Sequence, residues 1–226
     1  MRLIGLVGGI SWTSTLDYYR YINEGINKEM GGLNFANCII FSLNFGDIQA
    51  VSWENSFEII LNACQSLEKN GVEGIALCAN TAHMFADELQ EKTAVPIIHI
   101  GIETAKAINK RGFKKVGLLG TKFTMEMNFY KDKLKEYNLE VLIPDQEEVR
   151  DYIQYTVKEE LGTGIINAET KARYISIVNE LVENGAECII LGCTEIPLLI
   201  SQDDFTIPVF DTTKIHSQAI VDFALS

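Results

Sequence analysis

The chain has no cysteine pairing pattern. Its five cysteines, Cys38, Cys64, Cys78, Cys188 and Cys193, are odd in number, scattered and mostly set in apolar runs. That fits free thiols in a reducing cytosol and excludes a disulfide framework. Neither a C-x-x-C nor an H-x-x-x-H spacing occurs, and the only three histidines, His83, His99 and His216, are far apart in the sequence. No metal site is therefore expected. Four prolines and no Gly/Ser-rich tract leave no disordered linker. No apolar run approaches the roughly 20 residues of a membrane span, and the opening MRLIGLVGGISW lacks the long apolar core of a signal peptide. A cytoplasmic protein without a membrane partner is expected. Positive charge is scarce: 19 Lys and Arg against 31 Asp and Glu give a net charge of −12. That excess argues against a nucleic-acid partner, which needs clustered cations on its phosphates. Small anionic ligands stay open, because they need only a local electropositive pocket.

What the chain has is alternation. Short apolar runs at Arg2–Val7, Asn37–Leu43, Gly74–Leu77, Pro96–Ile98, Lys115–Leu119, Glu140–Ile143, Cys188–Leu191 and Pro208–Phe210 read as strands. Between them, Ser14–Lys28, Ser56–Asn70, Thr81–Thr93, Ile102–Lys110, Thr124–Tyr137, Glu147–Glu159 and Glu169–Asn184 read as amphipathic helices. In the second of these, Ile59, Ile60, Ala63, Cys64 and Leu67 make one apolar face. Strands that are apolar throughout and separated by helices imply parallel sheet covered on both faces, hence an α/β fold.

The pattern repeats. GVEGIALCANTAH at Gly71–His83 and GAECIILGCTEIP at Gly185–Pro197 align Gly on Gly, which sets Ala79 opposite Cys193 and leaves Cys78 one place early. LIGLVGG aligns with KVGLLGT, Gly5 on Gly117, and VPIIHI aligns with IPVFDT, Pro96 on Pro208. These three matches occur in order at nearly one offset and imply two similar α/β domains. The first is expected over 1–98, with the segment 209–226 packing back on it, and the second over 99–208.

In open α/β sheets ligands gather beyond the carboxyl ends of strands, where backbone N–H groups and helix starts are exposed. Four such loops carry small hydroxyl or amide side chains: Gly8–Thr15, Cys78–Thr81, Gly120–Lys122 and Gly192–Glu195. They are equipped to hold a carboxylate or a phosphate. Gly8-Gly9 lacks the spacings of a dinucleotide fingerprint or a P-loop. Ser11, Thr13 and Ser14 also suit a helix N-cap. Cys38, Cys64 and Cys188 read as core, as does Cys78 after its apolar strand. Cys193 comes after a strand, beside Gly192 and before Thr194. A helix N-terminus there would lower its pKa from about 8.5 toward neutrality. His83 and His216 fall in helical patterns and His99 at a strand end, where structural roles are expected.

GLVGGISWTSTLDYY, the ANTAH of Ala79–His83, LLGTKFTM at Leu118–Met125 and GCTEIPLL at Gly192–Leu199, in this order, resemble the aspartate/glutamate racemase superfamily over essentially the whole chain. The resemblance implies two pseudo-symmetric α/β domains with the active site in the cleft between them, and a cofactor-independent reaction on a small amino acid or dicarboxylate. Members of the superfamily often form homodimers; no stretch of this sequence reads as an interface. In the usual family mechanism two thiols flank the substrate α-carbon: one thiolate removes the α-proton and the other thiol returns a proton to the opposite face. The resemblance makes Cys193 the acid/base, and Asn80, Thr81, Thr121 and Thr194 match substrate-holding positions. The turn Gly9, Ile10, Ser11, Trp12 is the expected carboxylate holder. Glu195 stands where the glutamate racemase branch usually has His, as in the aspartate racemase-like branch.

The chain departs from the two-thiol pattern at Ala79, where such members carry Cys before Asn-Thr. The first expectation is a racemase of aspartate or glutamate whose second proton carrier is Cys78, a hydroxyl such as Thr81, or water near Ala79. A second is a one-thiol decarboxylase or isomerase of small dicarboxylic acids, since loss of CO2 already creates the enolate. A third is a binding relative that keeps the site without turnover.

Overall fold

The computed structural model describes all residues, Met1–Ser226. The chain forms two compact units, Met1–Ile100 with Thr213–Ser226, and Gly101–Thr212. Each holds one four-stranded, all-parallel sheet covered by helices, the α/β architecture that the alternating runs imply.

In the first unit the strands are β1 (Ile4–Gly8), β2 (Cys38–Ser42), β3 (Gly74–Leu77) and β4 (Ile97–Ile98), in the order β2-β1-β3-β4. In the second they are β5 (Lys115–Gly120), β6 (Glu140–Leu142), β7 (Cys188–Gly192) and β8 (Val209–Asp211), in the order β6-β5-β7-β8. The two orders are one topology used twice. The central strands β1, β3 and β7 are buried at every position, which is why they read as unbroken apolar runs rather than alternating ones.

The repeat is visible in hydrogen bonds. Glu73, in the Gly-x-Glu that precedes β3, accepts the Leu3 N–H at 3.0 Å and donates its own N–H to Leu3 O at 2.8 Å. Glu187, in the Gly-x-Glu before β7, accepts from Lys114 and Lys115 N–H at 2.6 and 2.9 Å, and its N–H reaches Lys115 O at 2.8 Å. The shared glutamate therefore caps the amino end of the neighbouring central strand in each unit. Those two N–H donors hold the Glu187 carboxyl below its ordinary range. Gln90 and Gln202 repeat a second device that sequence alignment alone does not single out. Each amide accepts from the N–H that opens the edge strand, Ile97 or Val209. Each also donates to the carbonyl two residues before that donor, Val95 or Ile207.

Helix α1 (Trp12–Met30) buries Thr15, Tyr18, Ile22 and Ile26 along one face. A two-turn helix, α2 (Phe45–Val51), follows β2 and has no counterpart among the expected helices. Helix α3 (Phe57–Lys69) packs Ile60, Ala63, Cys64 and Leu67 on the sheet. The helix expected over Thr81–Thr93 is instead a 3-10 turn (Thr81–Phe85) leading into α4 (Ala86–Lys92). Helix α5 (Ile100–Lys110) opens the second unit. The expected Thr124–Tyr137 helix is two, α6 (Lys122–Glu126) and α7 (Asn128–Glu136), broken where Met127 turns to extended backbone at ψ 156°. Helices α8 (Glu147–Glu159) and α9 (Ala168–Glu183) follow. Their Ile153, Val157, Tyr174, Ile177 and Leu181 pack with Leu119, Ile189 and Leu191 into the second unit's core. Helix α10 (Thr212–Leu225) then closes the opposite face of the first unit. Its Ile220 and Val221 pack with Ile4, Leu6 and Ile22, and Arg2 lies over the Phe223 ring at 4.4 Å.

Candidate functional site

In the first unit the loop after β1 begins at Gly9, which has φ +81°. A Cβ there would collide with the Leu43 carbonyl, so both the backbone angle and the space require glycine. The Gly9 N–H donates to Thr15 Oγ1 at 2.9 Å, and that hydroxyl donates to Ser11 O at 2.9 Å. One N–H expected for a ligand carboxylate is thus consumed by the turn itself. Ser11 is the N-cap of α1, its hydroxyl accepting from Ser14 N–H at 3.3 Å and sharing a hydrogen bond with Thr13 at 2.9 Å. Ile10 is buried, whereas Trp12 is 69% exposed.

The loop after β3 is tied to the same turn: Ser14 Oγ donates to Cys78 O at 3.0 Å. Neighbouring residues in an extended segment face opposite ways, and the packing follows that rule. Cys78 belongs to the cluster of Tyr18, Ile22, Ile98 and Ile220 under α1 and α10. Ala79 packs with Ile10, Ile60, Leu77 and Ala82 on the α3 face. Burial pushes the Cys78 thiol far up, with Cys38 adding to the shift. Asn80 and Thr81 are buried, and Thr81 opens the 3-10 turn.

All three histidines, distant in sequence, gather beneath this loop. The ring centroids of His83 and His99 are 4.9 Å apart, and those of His83 and His216 are 5.5 Å apart. His83 Nδ1 bonds to Ala79 O at 2.9 Å, and its Nε2 accepts the Ile100 N–H at 3.2 Å. His216 Nε2 bonds to Ile98 O at 2.7 Å, and its Nδ1 pairs with Tyr18 OH at 2.8 Å. Each ring faces a carbonyl on one nitrogen and a donor on the other, which fixes one neutral tautomer for each. Burial pushes His83 down to about 4; burial, then His83, pushes His216 down to about 3.

In the second unit Gly120 and Gly192 sit opposite each other in the β5–β7 register. A Cβ on Gly120 would lie 2.8 Å from Gly192 O, and one on Gly192 would lie 2.9 Å from Leu119 O. This close approach delivers Thr121 and Cys193 side by side at the carboxyl end of the sheet. Thr121 caps α6 by accepting from Thr124 N–H at 3.3 Å. Lys122 is spoken for, its ammonium 2.6 Å from Asp151 and 2.9 Å from Glu147.

Cys193 is 5% exposed, and its Sγ–H donates to Glu195 Oε2 at 3.0 Å. Thr194 Oγ1 donates to the same oxygen at 2.8 Å. Burial, then the Glu195 carboxylate, pushes the Cys193 thiol well above its ordinary value; the N–H groups of Glu195 and Ile196 pull the other way. The sequence reading expected a pKa lowered by a helix N-terminus, and the structure reverses it. Only a three-residue 3-10 turn, Ile196–Leu198, follows, too short to build a helix dipole, while the core closes around the sulfur. In the sequence Glu195 reads only as a branch marker beside Cys-Thr; its contact with the thiol depends on how the chain bends after β7. No group of three His, Cys, Asp or Glu side chains is arranged to hold a metal ion, and no helix is long and apolar enough to cross a membrane.

A family model described as Asp/Glu/Hydantoin racemase matches residues 7–220. The broad specificity amino-acid racemase RacX of Bacillus subtilis (strain 168) is 27% identical over 231 aligned residues, covering 99% of each chain. Among solved structures, a Yersinia pestis protein provisionally described as an Asp/Glu racemase is 39% identical with a TM-score of 0.93, covering 100% of both chains. An aspartate racemase homologue from Pyrococcus horikoshii OT3 is 37% identical with a TM-score of 0.86, again covering 100% of both.

Proposed function

We propose, from the premise that this chain belongs to the Asp/Glu/hydantoin racemase family, that it is a cofactor-independent amino-acid racemase with Cys193 as its acid/base. The observation that carries the reading is the thiol–carboxylate pair of Cys193 and Glu195 at the carboxyl end of β7. A buried thiol with a raised pKa is a poor base on its own. Glu195 answers this by accepting the Sγ proton along the 3.0 Å Sγ–Oε2 hydrogen bond, so the thiolate forms only as the proton passes to a waiting carboxylate. The two N–H groups directed at the sulfur favour that anion. The thiolate then removes the α-proton of the bound amino acid. Hydroxyl donors of Thr194 and Thr121, in the same unit as the thiol, hold the substrate carboxylate, where enolate charge develops.

The reaction also needs a proton delivered to the other face of the α-carbon. Ala79, at the sequence position of the family's second thiol, has none to give, and Cys78 is turned into the α1/α10 core. On this reading the second proton comes from the Thr81 hydroxyl or from water, so exchange is slow and favours one enantiomer. Aspartate and glutamate, named for the family, and neutral amino acids are the substrates to offer.

The test is α-deuterium incorporation in D2O, followed by NMR from separate L and D enantiomers. Exchange that falls about 1,000-fold or more in Cys193→Ala is expected. Absence of any Cys193-dependent exchange from every amino acid offered would sink the reading. The missing thiol at Ala79 favours one alternative, Cys193-dependent decarboxylation of a malonate-type acid, which needs a single proton donor. Release of CO2 without α-exchange of amino acids would establish that instead.

A further inference from the structure

We infer that two copies of this chain associate through the outer edge of β2 and the face of α1 beside it, with β2 running antiparallel to β2 of the second copy. The surface lies wholly within the first unit and is independent of the reaction. No stretch of the sequence reads as an interface, because the edge position of β2 is a property of the sheet order β2-β1-β3-β4. The main chain of this strand has a used side and an open side. Asn37 O accepts the Ile4 N–H at 3.0 Å, and the Leu43 N–H donates to Gly8 O at 2.9 Å. In a parallel ladder alternate residues serve one neighbour. The odd-numbered residues therefore serve β1, while Cys38, Ile40 and Ser42 turn their N–H and C=O groups away from it.

Apolar side chains frame that open edge. Leu33 and Phe35, on the way into β2, are 91% and 51% exposed, and Ile40 at the centre of the strand is exposed as well. Cys38 packs on the α1 side of the sheet, whereas Ile39 and Phe41 pack on the α3 side, so Ile40 faces the α1 side. There Leu16, Tyr19 and Met30 are exposed, and they share one face of α1 with Asn23 and Asn27. That face adjoins the segment entering β2. Asn23 Oδ1 accepts the Ala36 N–H at 2.9 Å, and Asn27 Nδ2 donates to Gly32 O at 2.8 Å and to Asn34 O at 3.2 Å.

Charge points to the occupant. The chain carries a net charge of −12, so a second copy is repelled by most of its surface. From Met30 to Gly46 there is no charged residue, and two identical acidic chains meet at least cost where neither brings charge. The edge is also self-complementary. Its outward residues are symmetric about Ile40, so a two-fold axis there sets Ile40 against Ile40 of the second copy and Cys38 against its Ser42. Each outward N–H then meets a carbonyl. Both α1 helices lie on one face of the joined sheet, with Leu16 and Tyr19 of each copy flanking the join. The repeat supplies a contrast. Strand β6 holds the same edge position in the second sheet but is only three residues long and opens on Glu140, paired with Lys115 at 2.9 Å. Asp145, Glu147 and Glu148 follow it. Shortness and charge keep an edge from pairing; β2 is longer and carries no charge.

Sedimentation equilibrium of the full chain reads the association directly. The mass of two chains is expected at micromolar concentration. The mass of a single chain across that range overturns the inference, and masses beyond two chains overturn the closed two-fold pairing. Ile40→Lys brings like charges together on the axis and should weaken dimerisation by at least about 100-fold. Leu16→Glu, at an exposed helix position that tolerates charge, gives the same reading if Ile40→Lys fails to fold; circular dichroism checks both. Val141→Lys, on the β6 edge, should leave the dimer intact. A dimer that survives both Ile40→Lys and Leu16→Glu, or one that Val141→Lys dissociates, overturns the assignment to β2. Added NaCl should tighten the parent dimer several-fold, because it screens the repulsion between two acidic chains. Weakening by salt would mean that ion pairs hold the copies together, and would overturn a neutral contact surface.

Discussion

His83 and Ala79 are joined by a hydrogen bond of 2.9 Å, ring Nδ1 to main-chain carbonyl, at the strand end where the family pattern places a catalytic thiol. The other ring nitrogen accepts the Ile100 N–H, so one buried imidazole fixes the loop after β3 to the start of α5, two residues beyond β4. His83→Ala leaves both main-chain groups buried and unpaired. At about 1–3 kcal/mol for each, the expected loss is about 2–6 kcal/mol in urea unfolding. His83→Asn places an amide donor near the Nδ1 position and should recover part of it. If His83→Ala is as stable as the parent, the bond does not hold the loop.

The same cluster sets an acid limit on stability. In the folded chain His83 and His216 titrate at about 4 and about 3, below the ordinary value near 6.5. The unfolded chain therefore binds two protons that the native state refuses, and stability falls as pH drops through 6.5 toward 4. Two groups give a slope of up to about 2.7 kcal/mol per pH unit in that window. Glu187, whose carboxyl is depressed, acts in the same direction only at lower pH, so pH 5–6.5 isolates the histidines. Urea midpoints should fall steeply from pH 7 to 5; a flat profile would count against the neutral cluster.

Glu195→Gln keeps an acceptor for the Cys193 thiol but removes the charge that helps hold its proton on. With the carboxylate gone, the raised pKa of Cys193 should move back toward the ordinary thiol range, burial still holding it partly up. Iodoacetamide labelling of the Cys193 peptide, followed by mass spectrometry at pH 8, should speed up several-fold. Buried Cys188, pushed by burial to about 12, serves as the internal reference. The α-exchange rate should fall in the same variant, by about 100-fold, because the proton acceptor is lost. Unchanged labelling would mean that Glu195 does not control this thiol.

The central strands β1, β3 and β7 were legible because parallel strands buried on both faces must be apolar throughout, and that requirement leaves its mark residue by residue. The break at Met127 was not: no glycine or proline marks it, and the two helices it separates meet different neighbours, α6 packing on β5 and α8 and α7 on β6. Helix α2 was missed because two turns around Gly46 and Asp47 are too short to show a period. In the candidate site, position was easier to read than environment. The strand-end location of Cys193 follows from a local pattern, whereas the sign of its pKa shift depends on Leu199, Ile196 and α9 closing over it. Likewise, the three histidines are far apart in sequence and meet only once β4 and α10 are in place.

Ala79→Cys tests the asymmetry at its origin. Ala79 is 9% exposed and packs on the α3 side of the sheet, beside Ile10 and Ala82. One added sulfur there costs at most about 1–3 kcal/mol of overpacking and supplies a second titratable proton carrier. If exchange in the parent is limited by proton delivery on the Ala79 side, the variant should accelerate the slower enantiomer by at least about tenfold. The faster enantiomer should change little, so the ratio of the two rates moves toward one. Ala79→Ser, which adds a hydroxyl of similar size but higher pKa, should give a much smaller gain and so separates acid strength from shape. The double variant Ala79→Cys, Cys193→Ala should lose exchange again, because a thiol at position 79 has no counterpart to Glu195 two residues on; Thr81 stands there. An Ala79→Cys protein that folds normally yet leaves both rates unchanged would show that proton delivery on that side does not limit the reaction.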